Sequence, residues 1–400
     1  MITKGDFIMK RLNTKDTFNE VIETIKRFQS GYSKRNLENI DAFMAELFII
    51  GDSTYAIGTG TTEVFLGSEK VKELISGDWK YWGDVNLDYE NAHISIKKET
   101  VWFSVEGSVN QSFEDSEERY NSYINFIKDK LHSTDISIKQ KLTFINWVLA
   151  LTFHQRKDEK REYRWPLRLS GILIRKNSKW KFSHINFSIP KPNYPDERFE
   201  NDKSYIDSYN EQNNLLKEYK DETNSVIDGF LRSFEKDIKG TNNLSSLVRK
   251  YFTESDTPYF IDLDNKLYEG IEKIEQFLKE NDGRNMSLEI DQYIVSSVED
   301  VSWITATGKL NQHFSESEVM EMSLNEITNL FDSKLSSKDK IFAIQRNISY
   351  ALKECTAGEV YTYPIRIFAV ILNSKEETKF NSIQISCPFS WIFEGKLDSI

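Results

Sequence analysis

The sequence predicts an α+β fold that occurs twice in tandem, and two observations support this prediction. First, residues 163–190 align without a gap on residues 361–388, and residues 101–113 align on residues 302–314 at an offset of 201. Eight of the 28 positions in the longer block are identical. Second, each copy shows helical periodicity first and strand-like alternation afterwards, which is typical of helices that precede an antiparallel sheet.

The domain boundaries follow from the repeat and from a group of prolines near residue 190. We predict a first domain over residues 1–195, a linker over residues 196–221 and a second domain over residues 222–400. Four hundred residues with 39% apolar content are enough for two domains of about 150 to 200 residues, each with its own core.

Each copy begins with two amphipathic helices, followed by a short strand and a third helix after a glycine. The helical spacing covers residues 18–28, 37–48 and 68–76 in the first copy and residues 226–234, 244–252 and 271–279 in the second.

Strands dominate the remainder of each copy. A hairpin is predicted first, then about 45 residues that form an inserted pair of helices, and then a closing hairpin. The predicted strands cover residues 93–96, 101–109, 167–174 and 180–189 in the first copy, and residues 293–298 and 302–310 open the sheet of the second.

Composition and missing motifs exclude several classes of protein. The net charge of −11 lies almost wholly in residues 201–400, so no nucleic-acid partner is expected. No apolar run approaches the roughly 18 residues that span a bilayer, and we expect a cytoplasmic protein with no membrane partner. Two cysteines, Cys355 and Cys387, suit a reducing compartment. No phosphate-binding, zinc or nucleophile motif is present, so no cofactor or metal is predicted.

The closing hairpin carries a family resemblance. Gly171, Leu173, Trp180 and Lys181 match the final strand pair of the SnoaL-like branch of the nuclear transport factor 2-like superfamily, and Trp102 with Phe103 resembles its central strand. The similarity covers most of residues 17–190 and, more faintly, residues 222–388. It implies two cone-shaped domains, each a curved antiparallel sheet whose concave face is covered by the N-terminal helices around a deep pocket. Family members include isomerase-like, cyclase-like and dehydratase enzymes as well as binding proteins without chemistry, so the fold does not choose between them.

Two side chains are candidate bases, because the enzymes of this superfamily use an Asp or a His to move a proton next to a carbonyl. Asp84 follows an aromatic group formed by Trp79, Tyr81 and Trp82, although a solvent-exposed loop is the alternative. His184 lies on the last strand, where simple alternation places it on the same side as Trp180, Phe182, Asn186 and Ser188. A histidine held within the sheet is the alternative.

The predicted ligand-binding residues are Trp82, Trp102, Glu106, Arg168 and His184. Trp102 is proposed as a pocket wall. Arg168, which recurs as Arg366, is either a cation that faces the pocket or a structural partner for a carboxylate such as Glu106.

The leading functional hypothesis is the binding of a small apolar or aromatic ligand in the first copy, which alone keeps Gly171, Trp180 and His184. An isomerase, cyclase or dehydratase using Asp84 or His184 is one alternative, and a protein-interaction scaffold with filled pockets is another. We also expect the two copies to pair with each other, as a covalent replacement for a homodimer.

Overall fold

The computed structural model describes ten segments of the chain. They are residues 4–113, 117–134, 136–152, 161–190, 203–219, 225–240, 244–254, 257–281, 287–373 and 377–388.

The first domain contains five helices and seven strands within these segments. The helices are α1 (Lys4–Lys34), α2 (Ile40–Leu47), α3 (Ser68–Tyr81), α4 (Glu117–His132) and α5 (Ile138–Thr152). The strands are β1 (Tyr55–Ile57), β2 (Val64–Leu66), β3 (Asp84–Leu87), β4 (His93–Lys97), β5 (Thr100–Phe113), β6 (Arg161–Lys176) and β7 (Lys179–Ser188). They form one sheet in the order β2-β1-β7-β6-β5-β3, with β4 also paired to β5.

The second domain repeats this arrangement after an additional helix, α6 (Lys203–Tyr219). Its helices are α7 (Ser225–Gly240), α8 (Leu244–Tyr251), α9 (Ile271–Asn281), α10 (Glu316–Asp332) and α11 (Ser337–Glu354). Its strands are β8 (Tyr259–Ile261), β9 (Leu267–Glu269), β10 (Ser287–Val298), β11 (Val301–His313), β12 (Val360–Asn373) and β13 (Thr378–Ser386), in the sheet order β10-β11-β12-β13-β8-β9.

The architecture confirms the predicted fold class. Each domain has a largely antiparallel sheet behind its leading helices, and each carries the inserted helical pair before the last hairpin. The described pairing is parallel where β1 meets β7 and where β8 meets β13. No helix in the described part of the chain combines the length and the apolar character needed to cross a membrane.

Helix α6 lies inside the segment that was predicted as a linker. Tyr209, Gln212 and Leu216 are buried, and their i, i+3, i+7 spacing places them on one helical face. This face packs against β10 and β11 of the second domain. The segment therefore has a structured role that its polar composition concealed.

A β-bulge changes which residues of β7 share a face. Pairing with β6 shifts between Leu173–Phe182 and Ile172–His184, so Ser183 is the extra residue. Such a bulge reverses the alternation for all residues beyond it. Trp180 and Phe182 consequently join the core of the first domain, whereas His184 lies on the opposite face. The grouping of His184 with Trp180 and Phe182 was wrong for this reason.

The outer faces of the two sheets meet in a shared apolar cluster. It combines side chains of both domains with the buried helix residue Leu216. Its members from the central strands are Trp102, Ile172, Ile174, Trp303, Phe368, Val370 and Leu372. The concave faces form two further cores, one per domain. Each sheet is thus covered on both sides, by its own helices and by the other sheet.

Candidate ligand-binding cavity

The cone of the second domain encloses a cavity of about 220 Å³. Its walls come from α7, α8 and α9 on one side and from the concave face of the sheet on the other, and most of the lining side chains are aliphatic or phenylalanine. Gln312 on β11 is a buried polar group in the wall. Asp262, Asp264 and Glu280 add carboxylates to the lining, and Asp264 and Glu280 are exposed. The site is an apolar chamber with an acidic rim.

Aromatic rings border the acidic side of this cavity. Phe277 lies 4.9 Å from Phe260 and 4.6 Å from Tyr268, measured between ring centroids. The Tyr268 hydroxyl donates to Asp262 Oδ2 at 2.9 Å. Burial, together with the charge of Asp262, raises the pKa of Tyr268 well above its usual value, so the phenol stays protonated at neutral pH.

The cone of the first domain is filled by aromatic side chains. Phe28, Tyr32, Phe48 and Phe182 pack at centroid distances of 5.0 to 6.2 Å. Tyr32 and three other inward aromatic positions of the first copy are aliphatic in the second. The exchanges, first copy to second, are Tyr32 to Ile238, Phe43 to Leu247, Phe103 to Ile304 and Phe187 to Ile385.

The residues that distinguish the first copy serve its packing. A Cβ atom at Gly171 would lie 2.4 Å from the backbone oxygen of His184 and 3.0 Å from the Phe103 ring, so glycine admits both. Trp180 is buried and donates to Glu20 Oε2 at 3.0 Å. Gly171 and Trp180 are therefore explained by packing and do not indicate a ligand site. Within the described residues, the cavity with an apolar lining lies in the second copy.

A second cavity, a cleft of about 300 Å³, lies in the first domain. Trp82, one of the predicted binding residues, lines it together with Phe187 and Tyr81. Its polar lining comes from Thr59, Glu63, Glu73 and Asp78.

Asp84 is exposed to solvent, which was the alternative to its prediction as a base in an aromatic pocket. Its side chain is 71% exposed and pairs with Arg35, with 3.0 Å between Oδ1 and Nη2. Asp84 therefore lies at the surface, in an ion pair, rather than in a closed pocket.

His184 is buried between the two sheets rather than in a cone. Its ring lies 4.7 Å from Tyr55 and 4.6 Å from Phe368 of the second domain, between centroids. Burial lowers the pKa of His184 to about 3. The pocket placement predicted for His184 was wrong, because the bulge at Ser183 turns it toward the other domain.

Trp102 also faces the other domain. Its Nε1 donates to Asn381 Oδ1 at 2.7 Å, and both side chains are buried. Asn381 is the extra residue of a second bulge, in which β12 pairs Ile371 with Phe380 and Val370 with Ser382. The pocket-wall prediction for Trp102 was therefore wrong for a topological reason: the even-numbered side chains in this part of β5 lie on the outer face.

Arg168 fits the structural alternative. Its Nη2 lies 2.5 Å from Glu106 Oε1, and Nη1 donates to Ser104 at 3.0 Å. It also reaches the second domain, where Asn265 O accepts from Nε at 3.0 Å and from Nη2 at 2.7 Å. Neither Arg168 nor Glu106 lines the two cavities described here.

The residues that form the hollow cone were missed, although the sequence held a signal for them. Aligning the two copies shows that four inward aromatic residues of the first copy are aliphatic in the second. Shared residues occur on both sides of the sheets: Trp102 and Arg168 reach the other domain, whereas Phe380 and Ile383 line the cavity.

Fold and cavity together define a class: an α+β chain of two cone-shaped domains joined through their sheets, one cone packed and one hollow. Residues 21–129 match the family model described as a SnoaL-like domain. This match lies within the first copy and agrees with the resemblance to the SnoaL-like, nuclear transport factor 2-like superfamily seen in the sequence. None of the curated proteins compared with the chain matches it.

Solved structures similar to the chain each cover less than half of it. A nuclear transport factor 2-like superfamily protein from Salmonella enterica has 13% identity and a TM-score of 0.30, and the match covers 46% of this chain and 99% of that one. A putative dehydratase of the same family from Streptomyces avermitilis has 8% identity and a TM-score of 0.28, covering 41% and 94%. A ketosteroid isomerase-like protein from Erwinia carotovora atroseptica has 8% identity and a TM-score of 0.24, covering 40% and 89%.

Proposed function

We propose that this protein binds a small, largely apolar molecule in the cone of its second domain. The observation that carries the proposal is the 220 Å³ cavity, whose lining is dominated by aliphatic and aromatic carbon. An apolar cavity of about 150 Å³ engineered into another protein stays dry and binds benzene. The cavity here is larger, so a ligand of about two fused rings, or an aliphatic chain of similar volume, fits it.

The rim sets the charge of the ligand. Asp262, Asp264 and Glu280 are close to the opening, and Lys266 is the neighbouring cation, with Nζ 5.3 Å from the centre of the Tyr268 ring. These carboxylates repel an anionic ligand, which would lose its hydration as it enters the cavity beside them. A neutral ligand, or one with a cationic group at the rim, is therefore favoured over a carboxylate.

The chemistry of the lining favours binding over proton transfer. The carboxylate of Asp262 already accepts hydrogen bonds from the backbone nitrogens of Asp264 and Lys266 and from the Tyr268 hydroxyl, each at 2.9 Å. These three donors occupy the carboxylate's acceptor sites and hold it within the turn. No histidine lines the cavity. The enzyme alternative that relied on Asp84 or His184 has no support from their positions.

The proposal is tested by titrating the full chain with naphthalene and with 2-naphthoate, using ligand-observed NMR. Naphthalene is expected to bind, and naphthoate to bind at least several-fold more weakly. Ile367→Trp places a large side chain in the middle of the lining and should abolish naphthalene binding without loss of stability, because it fills an existing void.

Leu169 is the matched control, because it is the equivalent of Ile367 in the packed cone and is fully buried. Leu169→Trp overfills that core and should lower the free energy of unfolding by about 1–3 kcal/mol. A wild-type chain that fails to bind naphthalene, or an Ile367→Trp variant that binds it as well as wild type, would refute the proposal.

A further inference from the structure

Two arginines related by the repeat each reach across to the opposite domain. Arg168 on β6 and Arg366 on β12 are buried and occupy equivalent positions, 198 residues apart. Each donates several hydrogen bonds to a turn of the other domain. In both cases this turn joins the two short strands at the edge of the sheet, β8 and β9 for Arg168 and β1 and β2 for Arg366.

The turn bound by Arg168 is held firmly to the first domain. Besides the two bonds from Arg168 to Asn265 O, the side chain of Asn265 accepts from Ser188 Oγ at 2.7 Å and donates to Ser188 O at 2.9 Å. Asn265 has a φ of +61°, the left-handed region, and is buried. A non-glycine residue persists in that conformation when its surroundings fix it, and here those surroundings come from the first domain.

The same turn forms part of the cavity wall in the second domain. Asp262, Leu263 and Asp264 line the cavity, and Asp262 bonds to the backbone of Asp264 and Lys266 and to Tyr268. Asn265 N donates to Asp262 O at 3.0 Å, which closes the turn. A continuous set of hydrogen bonds therefore runs from Arg168 through Asn265 and Asp262 to Tyr268 at the rim.

Arg366 repeats this arrangement in the opposite direction. It donates to Gly58 O at 2.8 Å and to Gly60 O at 2.7 Å, and Gln212 Oε1 accepts from it at 2.7 and 2.9 Å. Gly58 lines the cleft of the first domain. Arg366 is as buried as Arg168, and its bonds to Gly58 and Gly60 support the turn of the first domain.

We propose that Arg168 is a positioning residue for the cavity of the second domain, so that the first domain fixes the rim of its partner's ligand site. The expected effect on ligand affinity rests on the proposed binding function. The positioning of the rim can be measured without any ligand. It gives the packed first domain a role: it supplies the contact that shapes the opening of the hollow one.

The test compares Arg168→Met with Arg366→Met in the full chain. Met keeps a long apolar stem and removes the donors, and Glu106 is left with 73% of its side chain exposed, where water solvates it. Arg168→Met should increase hydrogen exchange at the backbone amides of Asp264 and Lys266 and weaken naphthalene binding about 5- to 10-fold, the effect of losing one or two hydrogen bonds that order the rim. Arg366→Met should change neither quantity.

The outcomes separate this inference from the proposed function. Equal effects of the two variants on the Asp264 and Lys266 amides, or no effect of Arg168→Met on them, overturns the positioning role whether or not naphthalene binds. Failure of wild type to bind naphthalene refutes the binding proposal alone, and the exchange comparison still decides the role of Arg168. Arg168→Lys, which keeps the charge beside Glu106, should give an intermediate exchange rate and serves if the Met variant does not fold.

Discussion

His184 is a titratable side chain that the fold keeps neutral. Burial between Tyr55 and Phe368 lowers its pKa to about 3, whereas an unfolded chain has a histidine pKa of about 6.5. Between these values the unfolded state binds the proton and the folded state does not. Stability contributed by this site is therefore complete above pH 6.5 and is lost as the pH falls toward 3, by about 1.4 kcal/mol per pH unit.

His184→Phe should remove this dependence, because Phe fits the same apolar slot without a titrating group. The free energy of unfolding in urea, measured from pH 7 to pH 4, should fall less steeply in the variant than in wild type. The pKa of His93 is also lowered by burial, so the difference between the two proteins, rather than either curve, isolates His184. His132→Gln, at an exposed histidine, is the control and should retain the wild-type slope. Parallel curves for wild type and His184→Phe would contradict the assignment.

At the scale of single residues, the sequence identified side chains that matter for the structure but not the groups that they contact. Arg168, Trp102 and His184 are all structurally significant, and all three were predicted as pocket residues. The side of the sheet on which His184 lies depends on one extra residue, Ser183, and periodicity alone does not reveal a bulge. Trp102 was predicted to be a pocket wall, but the face of β5 on which it lies contacts the other domain instead of a ligand.

At the scale of elements, two equivalent hairpin turns meet and carry opposite charge. Lys97 ends β4 and Lys98 follows it, whereas Glu299 and Asp300 follow β10; Lys98 and Glu299 have the same φ of +54°. Lys98 Nζ lies 2.8 Å from Glu299 Oε2, and Lys97 Nζ lies 3.2 Å from Asp300 Oδ2. Pairing either turn with a copy of itself would bring like charges together, so the divergence of the copies favours contact between unlike domains.

Charge reversal at these turns should act as a pair. Lys98→Glu and Glu299→Lys are each expected to lower the urea midpoint, and the double variant should recover most of the loss. Both effects should shrink in 1 M NaCl, where the screening length is only about 3 Å. Strictly additive midpoints in the double variant would show that the two turns do not interact.

The sequence predicted the positions of helices and strands better than it predicted the contacts of single residues. Each leading helix, the inserted helical pairs and both hairpins of the first domain were placed correctly from periodicity. The exceptions are informative: α6 has only a few buried residues in a polar segment, and the parallel pairing of the three-residue strands β1 and β8 depends on partners distant in the chain. Interactions of this kind leave little local pattern.

At the scale of the whole molecule, the contact between the sheets combines an apolar centre with paired polar groups around it. The apolar cluster contains Trp102 and Val370, and the cross-domain bonds of Arg168 and Arg366 lie around it. We propose that this contact replaces the homodimer of single-domain relatives. The first domain then acts as a support for the second, in addition to any role of its own cavity.

A protease recognition sequence inserted between residues 195 and 196 tests this proposal on the intact protein. After cleavage, the two fragments should elute together on size-exclusion chromatography as one 1:1 complex, at low salt and in 1 M NaCl, because the buried apolar contact does not depend on charge. Val370→Asp places an unpaired carboxylate in the fully buried part of the contact, and the cleaved variant should separate into its two fragments. Independent elution of the cleaved wild-type fragments would mean that the linker, and not the sheet contact, holds the domains together.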